Sequence, residues 1–394
     1  MVRYALDDVS DDMVLGQSIF GPTGELLLAA GYHVTERFRK RLRELGYNSV
    51  MISVEGTEDV IPETVISEHV QREMNVSLNK SASELKGIFY YRRQAKSKVR
   101  NLINDSKNML NKFIMNSGIT SALDRIIDEV FNQTSVVLNL SELDKASSSF
   151  FGHSINVTVI ALCLGRKYRM TYDELKQLAI GAVNFDLGLS AVPKEIVEKE
   201  GELTDDEIEI YNQHTVYGHL MLSKNPAIPP TSSAVALQHH EYQNGSGFPR
   251  GISGDNRPPL KDFSRKSVIH RFAEIVAVSD AYDMLTNGRK FYCERQNVRD
   301  ALRKLIEMSG NRLNSDIVKT LMSIVPLYPV GARIRIADAP VAQLAGYSGV
   351  VAKDNHKNLE EPFIILYETR NHQRVKPFMV DLSRHKGFKL ELIT

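Results

Sequence analysis

One pattern in the middle of the chain constrains the fold more than any other: helical periodicity whose apolar face carries a single ionisable residue. His153 opens the stretch "HSINVTVIALCLG" and shares a face with apolar residues spaced by three or four positions. His214, Asp186 and Asp280 occupy equivalent places in three further stretches. Residues three and four apart lie on one side of an α-helix. Each of these groups is therefore predicted to face the interior of a helical bundle.

Several ionisable groups inside one bundle need a physical reason. A single buried histidine is most often a core residue that hydrogen-bonds to its surroundings. A lone ionised aspartate is strongly penalised in a core unless it is paired or binds a cation. Imidazoles and carboxylates that converge from several helices suit iron, manganese or zinc. The pattern alone leaves a hydrogen-bonded core and a hydrolytic metal site as two open interpretations.

Local signals predict where some elements begin. In "LTDDEIEIYNQH", Thr204 stands three residues before Glu207, which is the spacing of a capping box at the start of a helix. Near the N-terminus, Gly21-Pro22 and Gly24 interrupt two apolar runs. Turn residues between two apolar runs predict a β-hairpin there.

The rest of the chain divides by composition. Residues 1–65 contain short β segments, turns and one helix in "TERFRKRLRELG", and residues 66–130 form a charged helical linker. Residues 131–325 form the helical core, and residues 326–394 alternate short β-rich runs with turns. The predicted fold is mainly α, with the helical core flanked by small β-containing N- and C-terminal modules.

Composition argues against several classes of protein. The chain has 49 basic and 48 acidic residues, a net charge of +1, whereas a dedicated nucleic-acid binder usually has a strong basic surplus. The chain has no run of 18 apolar residues, so no membrane span is predicted. The two cysteines, Cys163 and Cys293, form no CxxC pair, so they give no signature of a zinc site. The acidic start "MVRYALDDVSDDMVLG" lacks the features of a signal peptide, so we expect a cytoplasmic protein.

The most specific signal is "HHEYQNGSGFPRG", which joins the pair His239-His240 to a glycine-rich turn. Taken with the order of the other ionisable residues and with "AVSDAYDMLTNGR" around Asp280, it resembles the HD-GYP proteins, a subgroup of the HD metal-dependent phosphohydrolases. The resemblance extends from about residue 130 to about residue 310. It implies a helical HD-domain core that hydrolyses cyclic di-GMP at a centre of two or three metal ions.

The resemblance also implies roles for individual residues. One metal would be bound by His153 and Asp280. Asp186 would bridge both metals and is the predicted catalytic carboxylate. The other metal would take the three histidines His214, His239 and His240, and the substrate would contact Arg289 and, in the turn, Phe248 and Arg250. Iron or manganese is the expected metal, with zinc as a further candidate.

The chain departs from the family pattern at several positions. Phe185 stands where the defining His-Asp pair has its histidine, and Leu189 stands where the family has a lysine. The tyrosine of the signature turn is Phe248, a second basic substrate position is Tyr292, and Ser149 replaces the glutamate of members with a third metal. Phe185 removes a nitrogen ligand that a benzyl group cannot replace.

The unequal losses lead to a preferred hypothesis and two alternatives. The ligand set of the second metal is complete, so we expect a cyclic di-GMP protein with one ion rather than two and weak or no hydrolysis. A working phosphodiesterase is the alternative, with water or a side chain such as Glu241 completing the first site. A purely structural interaction module is the second alternative. A GGDEF-type diguanylate cyclase and a second copy of the chain are further candidate partners.

Overall fold

A computed structural model describes residues 1–21, 25–45, 47–62, 64–89, 96–133, 136–138, 150–261, 268–288, 294–355, 357–384 and 387–393. The chain forms two compact units. The first comprises Met1–Val65, Val137–Ser148 and Ile324–Thr394, and the second comprises Ile66–Val136 and Ser149–Ser323. The second unit therefore contains every segment in which the sequence places an ionisable residue on an apolar face.

Small antiparallel sheets make up most of the regular structure of the first unit. The predicted hairpin is confirmed, because the short strands before and after residues 22–24 pair antiparallel. The predicted helix is also confirmed and follows them. The elements of this N-terminal part are β1 (Val2–Ala5), β2 (Ile19–Phe20), β3 (Leu26–Leu28), α1 (Glu36–Glu44) and β4 (Ser49–Ile52), with β1 paired to β4 and β2 to β3.

The C-terminal part of the first unit is one five-stranded antiparallel sheet. The strands are β5 (Arg333–Asp338), β6 (Ser348–Lys353), β7 (Phe363–Glu368), β8 (Arg374–Asp381) and β9 (Lys389–Leu392). Their order in the sheet is β8-β7-β6-β5-β9, so β5 to β8 each pair with the next strand along the chain, and the last strand, β9, pairs with β5.

One hydrophobic core serves both terminal segments of the first unit. Buried side chains from the two segments make up a single cluster. The Arg3 amide donates a 2.8 Å hydrogen bond to the Gly331 carbonyl, and the Arg333 guanidinium lies 2.9 Å from the Asp8 carboxylate. The two terminal segments therefore depend on each other for burial, although more than 250 residues lie between them in the sequence.

The second unit is helical, as predicted. Together with the sheets of the first unit, its helices confirm a mainly α fold with small N-terminal sheets and a C-terminal five-stranded sheet. Within the described ranges the helices are α2 (Glu68–Phe89), α3 (Lys96–Asp105), α4 (Lys107–Ile114), α5 (Ser117–Asn132), α6 (Phe150–Lys167), α7 (Tyr172–Val183), α8 (Lys194–Val197), α9 (Asp205–Ser223), α10 (Pro230–Gln238), α11 (Arg271–Asn287), α12 (Val298–Met308) and α13 (Ser315–Met322).

The capping box predicted at the start of α9 is confirmed. The Thr204 side chain accepts from the Glu207 amide, and the Glu207 carboxylate accepts from the Thr204 amide. These bonds satisfy backbone donors that the first helical turn leaves without partners. The cap therefore fixes the register of α9, on which His214 is buried two to three turns further along.

Asp186 does not lie on a helix, which corrects the predicted helical stripe. Helix α7 ends at Val183, and the Asn184 side chain donates a 2.9 Å hydrogen bond to the Ile180 carbonyl. Asp186 then precedes a 3₁₀ turn, Leu187–Ala191. The periodicity placed Asp186 in the interior correctly, since it is buried, but its backbone belongs to the turn.

A glycine allows this 3₁₀ turn to touch α9. A Cβ atom at Gly188 would lie 1.9 Å from the His214 carbonyl oxygen and 2.5 Å from the Gly218 nitrogen. Both are backbone atoms, which cannot rotate away as a side chain can. Only glycine therefore permits the contact that brings Asp186 beside His214.

We expect Gly188→Ala to lower the free energy of unfolding by about 3 kcal/mol, because the added methyl group would overpack a backbone contact. Chemical denaturation of the purified variant measures this loss. Gly218→Ala is the matched control, since its Cβ would meet its nearest neighbours only at 3.3 Å or more. Equal stability of the two variants would contradict the role given to residue 188.

Candidate metal centre

Four side chains of the second unit bring their ligand atoms together. Asp186, His214, His239 and His240 each offer one ligand atom, and all of these atoms lie within 4.8 Å of one another. The Asp186 Oδ1 atom is 3.6 Å from Nε2 of His214 and 3.6 Å from Nε2 of His239. His240 is partly exposed and the other three are buried. The group could hold a metal ion.

Backbone carbonyls orient two of these imidazoles. Nδ1 of His214 lies 2.7 Å from the Tyr211 carbonyl oxygen, and Nδ1 of His239 lies 3.1 Å from that of Ala236. A carbonyl oxygen only accepts, so each Nδ1 donates and the Nε2 of a neutral ring keeps its lone pair. The two Nε2 atoms are 3.4 Å apart and both lie near Asp186. Lone pairs that converge on one another and on a carboxylate favour a cation between them.

The donor set also fits a divalent ion in composition and size. Three imidazoles and one carboxylate suit iron, manganese or zinc. Ligands on opposite sides of a cation with bonds of about 2.1 Å lie about 4.2 Å apart. A group spread over at most 4.8 Å therefore needs only a small contraction. The hydrogen bonds from Nδ1 to carbonyls are the outer contacts that usually fix a metal-binding histidine.

His153 lies on α6 between two carboxylates of α11. Its Nε2 atom is 2.9 Å from Asp280 Oδ1, and its Nδ1 atom is 2.6 Å from Asp283 Oδ2. Asp283 also accepts a 2.6 Å hydrogen bond from the Asn287 side chain. Burial by itself would lower the pKa of His153, but the two carboxylates outweigh burial and raise that pKa to about 9. Both ring nitrogens of His153 thus have an acidic neighbour.

Asp283 is a site residue that sequence reasoning missed. It is buried and stands three residues after Asp280 in "SDAYDML", so both carboxylates project from one side of α11. The signal was present as a second acidic residue on the same helical stripe. It could not be interpreted without knowing that α6 places His153 against that stripe.

The buried ring of Phe185 contacts imidazoles of both groups. Its centroid lies 5.6 Å from that of His153 and 5.0 Å from that of His239, in edge-on arrangements. The phenyl ring is fully buried and has no atom that can bind a metal. The Phe185 ring therefore contacts both His153 and one member of the four-residue group.

Leu189 lies in an apolar environment. It is buried with Val192 and Ile196. The partly buried side chains packed against these three are Val197, Leu203, Ile210 and Tyr211. An ammonium group at position 189 would lose its hydration in these surroundings, so the leucine is matched to its neighbours.

Glu241 holds the turn that follows the histidine pair. Its carboxylate accepts hydrogen bonds from the backbone amides of Arg250 (2.8 Å) and Ile252 (3.0 Å). Within the turn, a Cβ atom at Gly247 would lie 2.3 Å from the His240 carbonyl oxygen, so only glycine fits there. Both oxygens of Glu241 serve the turn, and Glu241 is outside the group of converging ligand atoms.

Of the predicted substrate contacts, the structure describes Phe248 and Arg250. The Phe248 ring lies 4.8 Å from the His240 ring, and its amide donates to the His240 carbonyl. Arg250 is exposed at the end of the turn. Arg289, Tyr292 and Ser149 lie outside the described residues. The structure therefore places the aromatic residue of the turn beside the histidine pair.

A buried glutamate supports the same turn from α11. Glu274 accepts a 2.7 Å hydrogen bond from the Gln243 side chain, and the Gln243 Oε1 atom accepts from the Asn256 amide. Burial raises the pKa of Glu274 to about 7, against the opposing effect of its hydrogen bonds to Gln243 and Asn314. The turn after the histidine pair thus rests on a group that titrates near neutral pH.

Comparison with known proteins identifies what the helical part of the chain is similar to. Residues 137–317 match the family model described as HD domain. This stretch is similar to an HD domain. It is related to the HD-GYP cyclic di-GMP phosphodiesterases, which is the resemblance that the motifs indicated. No helix among the described residues is both long and apolar enough to cross a membrane.

Several relatives carry informative names. This chain is 24% identical over 352 residues to a cyclic di-GMP phosphodiesterase of Pseudomonas aeruginosa, covering 88% of this chain and 80% of that protein. It is 30% identical over 149 residues to one of Thermotoga maritima, covering 38% and 37%. A solved HDG"Y"P protein from Bdellovibrio bacteriovorus matches 81% of this chain and 97% of its own at 16% identity, with a TM-score of 0.39.

His214→Ala should lower the affinity for a divalent ion at least about tenfold, because it removes one of four converging donors. Elemental analysis and calorimetric titration with manganese measure this. His219→Ala is the control on the same helix, since His219 contacts the Ser233 carbonyl and is outside the ligand group. The same metal content in both variants would contradict the assignment of His214.

Glu274 should make stability depend on pH. Its pKa in the folded state, about 7, is above its ordinary value of 4.5, so its contribution to stability is complete below pH 4.5. That contribution falls as the pH rises to about 7, by about 3 kcal/mol. We expect Glu274→Gln to remove this part of the pH dependence, as measured by denaturation between pH 4.5 and 8. The exposed Glu307→Gln is the control, and identical pH profiles of the wild type and Glu274→Gln would contradict the prediction.

Proposed function

We propose that this protein binds cyclic di-GMP through a one-cation HD-GYP site and hydrolyses it weakly or not at all. The observation that carries the proposal is the position of Phe185, which contacts His153 and His239 where the family has a ligand for the first metal. The cation would be held by the converging group of Asp186, His214, His239 and His240. Iron and manganese are the first candidates, and zinc is the third.

The surroundings of His153 bear on the number of cations. Its two nitrogens face Asp280 and Asp283 at 2.9 and 2.6 Å. Nδ1 hydrogen-bonds to Asp283, whereas Nε2 is buried beside Asp280 and has no hydrogen bond of good geometry among the described residues. With Phe185 beside it, the first position retains His153 and Asp280 without the neighbouring imidazole that would complete a shell.

The reduced hydrolysis follows from what the chain lacks. A divalent ion next to Asp186 would supply Lewis-acid stabilisation of phosphate charge. The chain's own residues orient that ion and provide the aromatic and basic surroundings of the turn. Leu189 contributes no cation, and its apolar neighbours would disfavour one. Loss of one preorganised stabiliser of developing charge costs about 100-fold or more in rate.

An active phosphodiesterase is the second candidate. It is favoured by the complete four-residue group and by the names of the relatives, one of which aligns with 88% of this chain. In that case water would take the place of the imidazole missing at position 185, because Glu241 is engaged by the turn. The diguanylate cyclase partner and the homodimer stay predictions.

The decisive experiment compares wild type with Phe185→His. The wild type should bind about one divalent ion per chain and cyclic di-GMP, with very slow turnover. Phe185→His should raise metal content and turnover, because it adds a nitrogen ligand beside His153 and Asp186. Phe185→Leu is the control, since it removes the ring without adding a ligand.

The outcomes separate the two candidates. Metal content by elemental analysis and turnover with excess manganese or iron under anaerobic conditions are measured on all three proteins. Substantial turnover by wild type that Phe185→His does not exceed would overturn the one-cation proposal in favour of an active enzyme. Wild type that binds neither metal nor cyclic di-GMP would overturn both.

A further inference from the structure

Beside the histidine pair, the signature turn carries an aromatic residue that the metal site does not use. Tyr242 follows His240 by two positions and is half-buried. The guanidinium of Arg312 lies over its ring, 5.1 Å from the ring centroid. Arg312 comes from the loop between α12 and α13, 70 residues further along the chain. The pair is therefore a tertiary contact at the edge of the turn.

Backbone hydrogen bonds fix the Arg312 loop to this region. The Gln243 amide donates to the Arg312 carbonyl (3.2 Å), and the Asn244 amide donates to the Asn311 carbonyl (2.9 Å). The Asn256 side chain donates to the Gly310 carbonyl (3.0 Å). Arg312 thus starts from a backbone that is tied to the turn, and stacking on Tyr242 restricts the side chain further. Ordering this arginine costs little additional entropy when a ligand binds.

The charge of Arg312 is not neutralised within the described parts of the chain. It is exposed and forms no ion pair there, and the same is true of Arg250 at the other end of the turn. Arg303 on α12 provides a contrast, because it is paired with Asp300 at 3.0 Å. Within the described residues, Arg312 and Arg250 therefore flank the turn that follows His239 and His240, and neither has an acidic partner there.

We propose that Arg312, stacked on Tyr242, binds a guanine base of the cyclic dinucleotide and is a specificity-determining residue. This inference rests on the proposed function. A guanidinium that stacks on an aromatic ring keeps its N–H edge available. Two N–H groups in that edge match the O6 and N7 acceptors of guanine, whereas adenine presents an amino donor in place of O6.

The order of groups along the turn supports contact of Tyr242 and Arg312 with a base of the ligand rather than with a phosphate. The phosphodiester must lie at the cation, beside His239 and His240. The bases of a dinucleotide extend away from its phosphates. Tyr242 is the second residue after the histidine pair, and Arg312, which lies over its ring, is exposed and can meet an extended base. An aromatic ring and a guanidinium are also the groups that nucleobases contact most favourably.

The test measures binding of cyclic di-GMP and of cyclic di-AMP to full-length protein loaded with manganese. We expect Arg312→Ala to lower the ratio of the two affinities at least about tenfold, through weaker binding of cyclic di-GMP. Arg312→Lys should lose part of the preference, because lysine keeps the charge without the planar edge. Tyr242→Leu should weaken binding, and Tyr242→Phe should not. Arg303→Ala is the control for a lost surface charge.

Metal content and thermal stability of each variant show whether the fold is intact. Unchanged binding of cyclic di-GMP by a folded Arg312→Ala would overturn the inference and leave the proposed function standing. Equal losses for both dinucleotides would also overturn it, because they would indicate a contact with phosphate. Failure of the wild type to bind cyclic di-GMP would overturn the proposed function itself, and that result is seen before any variant is made.

Discussion

The whole site depends on the contact between the 3₁₀ turn at Gly188 and the backbone of α9. Without a side chain at Gly188 the two backbones touch, and Asp186 comes within 3.6 Å of the Nε2 atom of His214. The histidines bring their own support, since His214 and His239 are oriented by carbonyls one turn earlier in their own chain segments. Local hydrogen bonds thus orient the imidazoles, and one close backbone approach supplies the carboxylate that completes the group.

Sequence reasoning predicted those parts of the molecule that local rules determine. Helical periodicity and the Thr204 capping box identify α9, and a short turn between apolar runs identifies the hairpin. The histidine pair could be assigned because its residues are adjacent and lead into a specific turn. Asp186 was placed in the interior but on a helix that ends three residues earlier, because periodicity carries no information about where a carbonyl is capped by a side chain such as Asn184.

The parts that were missed are contacts across long sequence distances. Asp283 touches His153 from 130 residues away, and Arg312 stacks on Tyr242 from the far side of two helices. The shared core of the two terminal segments is the same kind of feature, because each segment alone shows only short apolar runs. Composition suggests that such residues are buried or exposed, but only the packing of helices decides which of them meet.

Phe185 contacts both groups of ionisable side chains in the helical unit. A phenyl ring approximates an imidazole in size, and its edge-on contacts with His153 and His239 preserve the spacing of the two groups. Burial of the ring stabilises this arrangement through hydrophobic packing. The four remaining ligand atoms consequently stay within reach of one ion, and the signature turn stays attached through Glu241. Under the proposed one-cation function, the four-residue group would suffice to bind a phosphate-containing ligand, whereas rapid hydrolysis would need a second cation, so substitution at position 185 would separate binding from catalysis.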